Sequence, residues 1–221
     1  MSTEKQLYGY RLRKALLMAA IVMAFIVSAW STLGIDLHSL REDKILVWSE
    51  DRTLAANYDL CKDVLEGPAE SLSYRKKLEF FETAVDIESN YLCIPYRITV
   101  KTGSLSDGTS GNFSAGEQTI TIDKEYLTNC EDPWELVELA AHEVFHAWEY
   151  EACRLDEVVS DRRARAFLYD ELSNVEDYRK ELRHYEDEGL EYYYQTVEAD
   201  ARRYASNSIE MWKDRLAELA E

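Results

Sequence analysis

The residues whose types and spacing can do chemistry are His142-Glu143-Val144-Phe145-His146, inside the segment LVELAAHEVFHAW from Leu136 to Trp148. On a helix, residues four apart share a face one turn apart in height, so two imidazoles at this spacing can grip one metal ion. Glu143 sits beside them. From there its carboxylate can take a proton from a water whose pKa the ion lowers towards about 7. The spacing thus specifies a metal site and a general base together. The surrounding Ala140, Ala141, Val144, Phe145, Ala147 and Trp148 are uncharged, as expected of a helix pressed into a core beneath a cleft. The chain has four histidines in 221 residues, so accident seldom produces this pattern. The bland alternative is a pair of core histidines satisfied by their neighbours.

Two histidines do not complete a catalytic zinc site, which takes three protein ligands and leaves a position for water. The metzincin extension places a histidine six residues after the second one, but that position is Ala152, which excludes the class. The downstream candidates are His184, Glu191, Glu198 and Asp200. Helical phase separates them. Tyr194, Glu198, Ala201, Ala205, Ile209, Trp212, Leu216 and Leu219 form a stripe that is apolar except at Glu198, so Glu198 points inward. A carboxylate there is costly unless compensated, either by a divalent cation or by an arginine. Asp200 shares its face with Tyr193, Val197, Arg203 and Asn207 and reads as a surface or supporting acid.

HEVFH followed by EADARRYA resembles the gluzincin pattern of zinc metallopeptidases, in which HExxH lies on one helix and a glutamate on a later helix completes the site. The resemblance implies Zn2+ held by His142, His146 and Glu198, with Glu143 as catalytic base hydrolysing peptide bonds. Arg202 stands four residues after Glu198, where thermolysin-like members carry an acid, so the compact gluzincins with an EADA-like segment are nearer. It also implies a small sheet above the motif helix with an edge strand that aligns the peptide, for which residues 112–122 are the counterpart. His184, Tyr193, Tyr194 and Tyr204 are the nearest candidates in sequence for an oxyanion donor. The alternative function is a zinc-binding but non-catalytic anchored interaction module.

The elements that must position these residues are mostly helices. Helical pattern runs from Asp51 to Glu66, is broken by Gly67-Pro68, and resumes over about 70–90 with an imperfect stripe of Leu72, Lys76, Glu79, Phe80, Thr83 and Ile87. Ile94–Lys101 and Gln118–Asp123 alternate as strands and are expected to pair antiparallel, joined by a long connection rich in Gly, Ser and Thr. Asp132-Pro133 reads as an N-cap and first helical residue, which starts the motif helix there. Residues 155–188 read as surface helices with a buried stripe that includes Val175, Tyr178, Leu182 and Tyr185, and a last helix runs from about Leu190 to Leu219. The expected fold is therefore α+β, a mainly helical zincin-like domain over residues 51–221 with a small antiparallel sheet.

Charge and cysteine placement set the surroundings. The balance of 25 Lys plus Arg against 43 Asp plus Glu gives −18, which repels a phosphate backbone and excludes nucleic acid as a partner. Residues 1–34 nevertheless carry +3, and from Ala15 to Leu33 there are 19 residues without a charge. As a helix that stretch spans about 28 Å, roughly one hydrocarbon thickness. The expectation is a cytoplasmic N-terminus (1–14), a transmembrane anchor (15–33), a juxtamembrane linker (34–50) and an extracytoplasmic domain acting on a peptide or protein. A cleaved signal peptide ending at Val27-Ser28-Ala29 is the competing reading, and it exports the same domain. Cys61, Cys93, Cys130 and Cys153 then permit two disulfides. A helix over 133–152 separates Cys130 from Cys153, which leaves 61–130 with 93–153 or 61–153 with 93–130, and an antiparallel strand returning from Cys93 towards Cys130 favours the second.

Overall fold

Local signals set most of the helix boundaries. A computed structural model of the chain describes residues 49–68, 72–106, 108–158, 174–185 and 194–221. After a short 3-10 turn at Glu50–Arg52, helix α1 spans Tyr58–Leu65 and stops at Gly67. A Cβ at Gly67 would lie 2.4 Å from the Asp63 carbonyl oxygen, so only glycine fits the exit. Helix α2 (Tyr74–Tyr91) opens on Ser73, whose hydroxyl accepts from the Lys76 amide. Its buried side is Lys77, Phe80, Phe81, Ala84, Val85, Ile87 and Glu88. Two of these are charged, which is why the apolar stripe read from sequence was displaced onto Lys76, Glu79 and Thr83. Lys77 Nζ donates to the carbonyls of Thr128 and Cys130, at 2.9 and 2.7 Å.

The sheet has three strands: β1 (Thr99–Gly103), β2 (Gly111–Ser114) and β3 (Thr119–Asp123), in the order β1-β3-β2. The expected antiparallel pairing is corrected here. β1 runs parallel to β3, with Thr99 opposite Thr119 and Gly103 opposite Asp123, while β2 forms an antiparallel hairpin with β3. The cause is the extra strand: GNFS has little strand character, yet it turns the long connection into a crossover that returns β3 in the direction of β1. Ile120 and Ile122 of the central strand are fully buried.

Asp123 ends the sheet and caps α3 (Lys124–Asn129), accepting from the amides of Glu125 and Tyr126 at 2.8 and 2.9 Å. Helix α4 (Pro133–Val158) begins where Asp132-Pro133 placed it, with the Trp134 amide donating to Asp132 Oδ1 at 3.0 Å. It is the centre of the molecule and packs against α2, β2, α5 (Val175–Glu181) and α6 (Thr196–Leu219). Ala140, Ala141, Val144 and Ala147 are fully buried, and three of the four are alanines, which lets neighbouring elements come close. Val175 and Tyr178 are buried with Leu182 packed beside them, as their spacing required, but Tyr185, the last residue of the expected buried stripe, is 45% exposed. Along α6, Glu198, Ala201, Ala205 and Trp212 are buried, but Tyr194 at the head of the expected stripe is 73% exposed.

The parallel strands also overturn the disulfide expectation. Cys93 precedes the start of β1 and Cys130 follows α3 beyond the end of β3, so the two flank opposite ends of the sheet. All four cysteines are free thiols. The expected anchor at 15–33, with 1–14 and nearly all of 34–50, lies outside the described residues. Among the described residues, no helix is long and apolar enough to cross a membrane.

Candidate metal centre

Helices α4 and α6 bring together the three side chains that helical phase selected. His142 Nε2 and His146 Nε2 are 3.1 Å apart, and their rings meet edge-on at 88°. Glu198 Oε2 lies 3.4 Å from His142 Nε2, and Glu198 Oε1 lies 3.4 Å from His146 Nε2. One ligand atom from each residue falls within 4.8 Å of the others, so the group could hold a metal ion. A tetrahedral ion with bonds of about 2.0–2.1 Å has ligand–ligand edges of about 3.3–3.4 Å. Each imidazole nitrogen lies about that far from one Glu198 oxygen, Oε2 for His142 and Oε1 for His146, while the two nitrogens sit slightly closer together.

The donor set itself also fits a cation. Glu198 is fully buried, and among the described residues its Oε2 has no hydrogen-bond partner. An orphaned buried carboxylate oxygen facing two imidazole nitrogens is costly unless a positive charge sits among them. Arg202 compensates part of that charge, with Nη1 3.6 Å from Oε2, too far for a hydrogen bond. Burial opposes the charged form of Glu198, but the facing imidazoles of His142 and His146 outweigh it and hold the carboxyl far below the usual carboxylate range. Burial likewise opposes charging of His146, yet the bonds with Glu149 and Glu198 push it up to about 10. Both shifts have one meaning: the pocket attracts positive charge.

Glu143 is 4% exposed and lies between this group and the β2 edge. Burial raises its carboxyl above the ordinary range, partly offset by the two imidazoles. Gly111 makes this approach possible, since a Cβ there would lie 2.9 Å from Leu139 Cδ1 and 3.1 Å from Glu143 Oε1. The backbone of Phe113 also hydrogen-bonds Glu143. Glu143 is therefore wedged under the sheet edge, close to the imidazoles.

Two residues of the site were missed from sequence. Glu149 is fully buried and its Oε2 is 2.8 Å from His146 Nδ1, which orients the imidazole so that Nε2 faces Glu198. Burial pushes the Glu149 carboxyl up to about 7. Its position three residues after His146, in phase with His142 and His146, was a readable signal. The other is Tyr185, whose hydroxyl donates to Glu198 Oε1. It lies four residues past the end of α5, spacing explained it as the last member of a packing stripe, and nothing local marks it as part of a site.

The remaining candidates lie elsewhere. Asp200 is buried rather than superficial, accepting from Tyr178 OH at 2.5 Å and Asn174 Nδ2 at 2.7 Å and pairing with Arg203 at 2.7 Å. It ties α5 to α6 instead of joining the imidazoles. Tyr204 stacks on Phe145 at 5.0 Å and donates to Glu88. His184 and Tyr194 are exposed, while Glu191 and Tyr193 lie outside the described residues. Phe145 stacks in turn on Trp148, and Trp148 meets Tyr178 edge-on, so an aromatic ladder holds α4 against α5 and α6 beside the site.

Comparison of the chain with protein-family models, with curated proteins and with solved structures finds no match. The geometry of the side chains therefore carries the functional reading.

Proposed function

We propose that this chain is a zinc metallopeptidase of gluzincin type, anchored by its apolar N-terminal segment with the domain facing outward. The observation that carries the reading is the convergence of His142, His146 and Glu198, one ligand atom from each within 4.8 Å of the others, beside a buried Glu143. Two imidazole nitrogens and one carboxylate oxygen are a zinc-type donor set with an open fourth position. When bound, the cation would supply Lewis-acid polarisation and a water of lowered pKa.

The chain's own residues do the rest. His142 and His146 present Nε2, and Glu149 holds the His146 ring through Nδ1. Glu143, with its carboxyl raised by burial, takes a proton from the attacking water and returns it to the leaving amine nitrogen. The β2 edge above Glu143 offers backbone groups along which an extended peptide can align. The acidic balance of the chain disfavours acidic peptides as substrates.

Glu143→Gln in the full-length chain tests the reading. It is expected to retain one Zn2+ per chain and to lose peptide hydrolysis by several orders of magnitude. Wild-type protein that binds zinc with no hydrolysis of any peptide in a mixed library would instead favour the non-catalytic module. Failure to bind zinc at all would remove both.

A further inference from the structure

The two oxygens of Glu198 are not equivalent, and the difference is made by a residue outside the expected site. Oε1 accepts a hydrogen bond from the Tyr185 hydroxyl, whereas Oε2 has no hydrogen-bond partner among the described residues. We infer that Tyr185 is a positioning residue that reserves Oε2 as the single metal-ligating oxygen of Glu198 and so keeps the fourth coordination position open. The inference rests on the metal-site reading above and specifies how that site is kept catalytic in form.

The chemistry follows from electron density and from counting donors. A carboxylate oxygen that already accepts a hydroxyl proton is a weaker donor towards a cation than its free neighbour. Each Glu198 oxygen lies 3.4 Å from one imidazole nitrogen, so either is within reach of a shared ion. If both bound, the protein would supply four ligand atoms, and water could enter only by expanding the coordination number. With Oε1 held by Tyr185, it supplies three.

Tyr185 is delivered by an element anchored on both sides of the site. Helix α5, just before it, is tied to α4 through Arg179 and Asp156 at 2.8 Å. It is tied to α6 through Tyr178 and Asp200 at 2.5 Å and through Glu181, which accepts from the Val197 amide at 3.0 Å. That last bond engages an amide in the first turn of α6, next to Glu198 itself. Tyr185 as a whole is 45% exposed, so removing its hydroxyl leaves no large buried cavity.

The test is Co2+ titration of the full-length chain, stripped of metal, as wild type, Tyr185→Phe and Glu198→Ala. Four-coordinate Co2+ absorbs visible light several-fold more strongly than five-coordinate Co2+, so the band reports coordination number without reference to activity. Wild type is expected to take up one Co2+ with the intense band. Tyr185→Phe is expected to take up one Co2+ with a several-fold weaker band, and Glu198→Ala to lose most of its affinity. A Tyr185→Phe spectrum superimposable on wild type overturns the role of Tyr185 and leaves the metal site intact. Absence of Co2+ binding in wild type overturns the metal site as well, so the two failures are distinct. Should Tyr185→Phe lose secondary structure by circular dichroism, Tyr185→Leu provides the same comparison.

Discussion

Glu88 decides how α6 is seated, and through α6 how Glu198 reaches the two imidazoles. Its side chain is fully buried on α2 and takes three hydrogen bonds from α6. Oε1 accepts from Ser208 Oγ at 2.5 Å and Trp212 Nε1 at 2.6 Å, and Oε2 accepts from Tyr204 OH at 2.6 Å. Glu88→Ala removes the acceptor from all three donors, two of them on residues no more than 1% exposed. Each buried donor left alone costs about 1–3 kcal/mol, and the void adds to that. Relief from burying a carboxylate offsets part of the loss, so the expected net cost is about 3–5 kcal/mol. Glu88→Gln keeps the volume. Its amide oxygen can accept from Ser208 and Trp212 while its amide nitrogen donates to the Tyr204 hydroxyl, which turns to accept. Only charge assistance is lost, at about 1 kcal/mol. Urea unfolding of the full-length chain should therefore separate the two variants by about 2–4 kcal/mol. If they unfold within about 1 kcal/mol of each other, these hydrogen bonds do not seat α6 and the reasoning fails. Zinc affinity of the same samples, by chelator competition, should fall several-fold in Glu88→Ala and hardly change in Glu88→Gln.

Metal binding should be visible as stability. Free Zn2+ at 100 times its Kd is expected to raise the unfolding free energy by about 2.7 kcal/mol over chelator-treated protein, and Glu198→Ala should abolish that increment. Glu149→Gln should weaken zinc binding about 10–100-fold by freeing the His146 ring, as read by competition titration; unchanged affinity would refute its orienting role. Asp123 accepts from the amides of Leu105, Glu125 and Tyr126, led by Leu105, which holds its carboxyl below the ordinary range. Its contribution is therefore complete above the unfolded value of about 3.9 and is lost as pH falls through the lower folded value. Asp123→Asn should be less stable than wild type at pH 6, with the gap closing in acid unfolding below about pH 4. Gly111→Ala should lower kcat while leaving zinc content unchanged, because its Cβ displaces the Glu143 carboxylate rather than the imidazoles.

What the chain alone determined is what lies within one helix. Asp132-Pro133 marked the start of α4, the four-residue spacing put His142 and His146 on one face, and phase turned Glu198 inward on α6. These follow from 3.6 residues per turn, a geometry each segment carries without its neighbours. Tertiary structure decided everything that depends on which segments meet. GNFS became a strand only against β3 and made β1 parallel, which separated Cys93 from Cys130. Lys77 and Glu88 went inside because backbone carbonyls at the C-terminal end of α3 and just beyond it, and donors of α6, awaited them. Tyr185 joined Glu198 because α5 docks across α4 and α6. Periodicity reports the face a residue turns to its own helix axis; a buried polar group is explained only by the partner that meets it there.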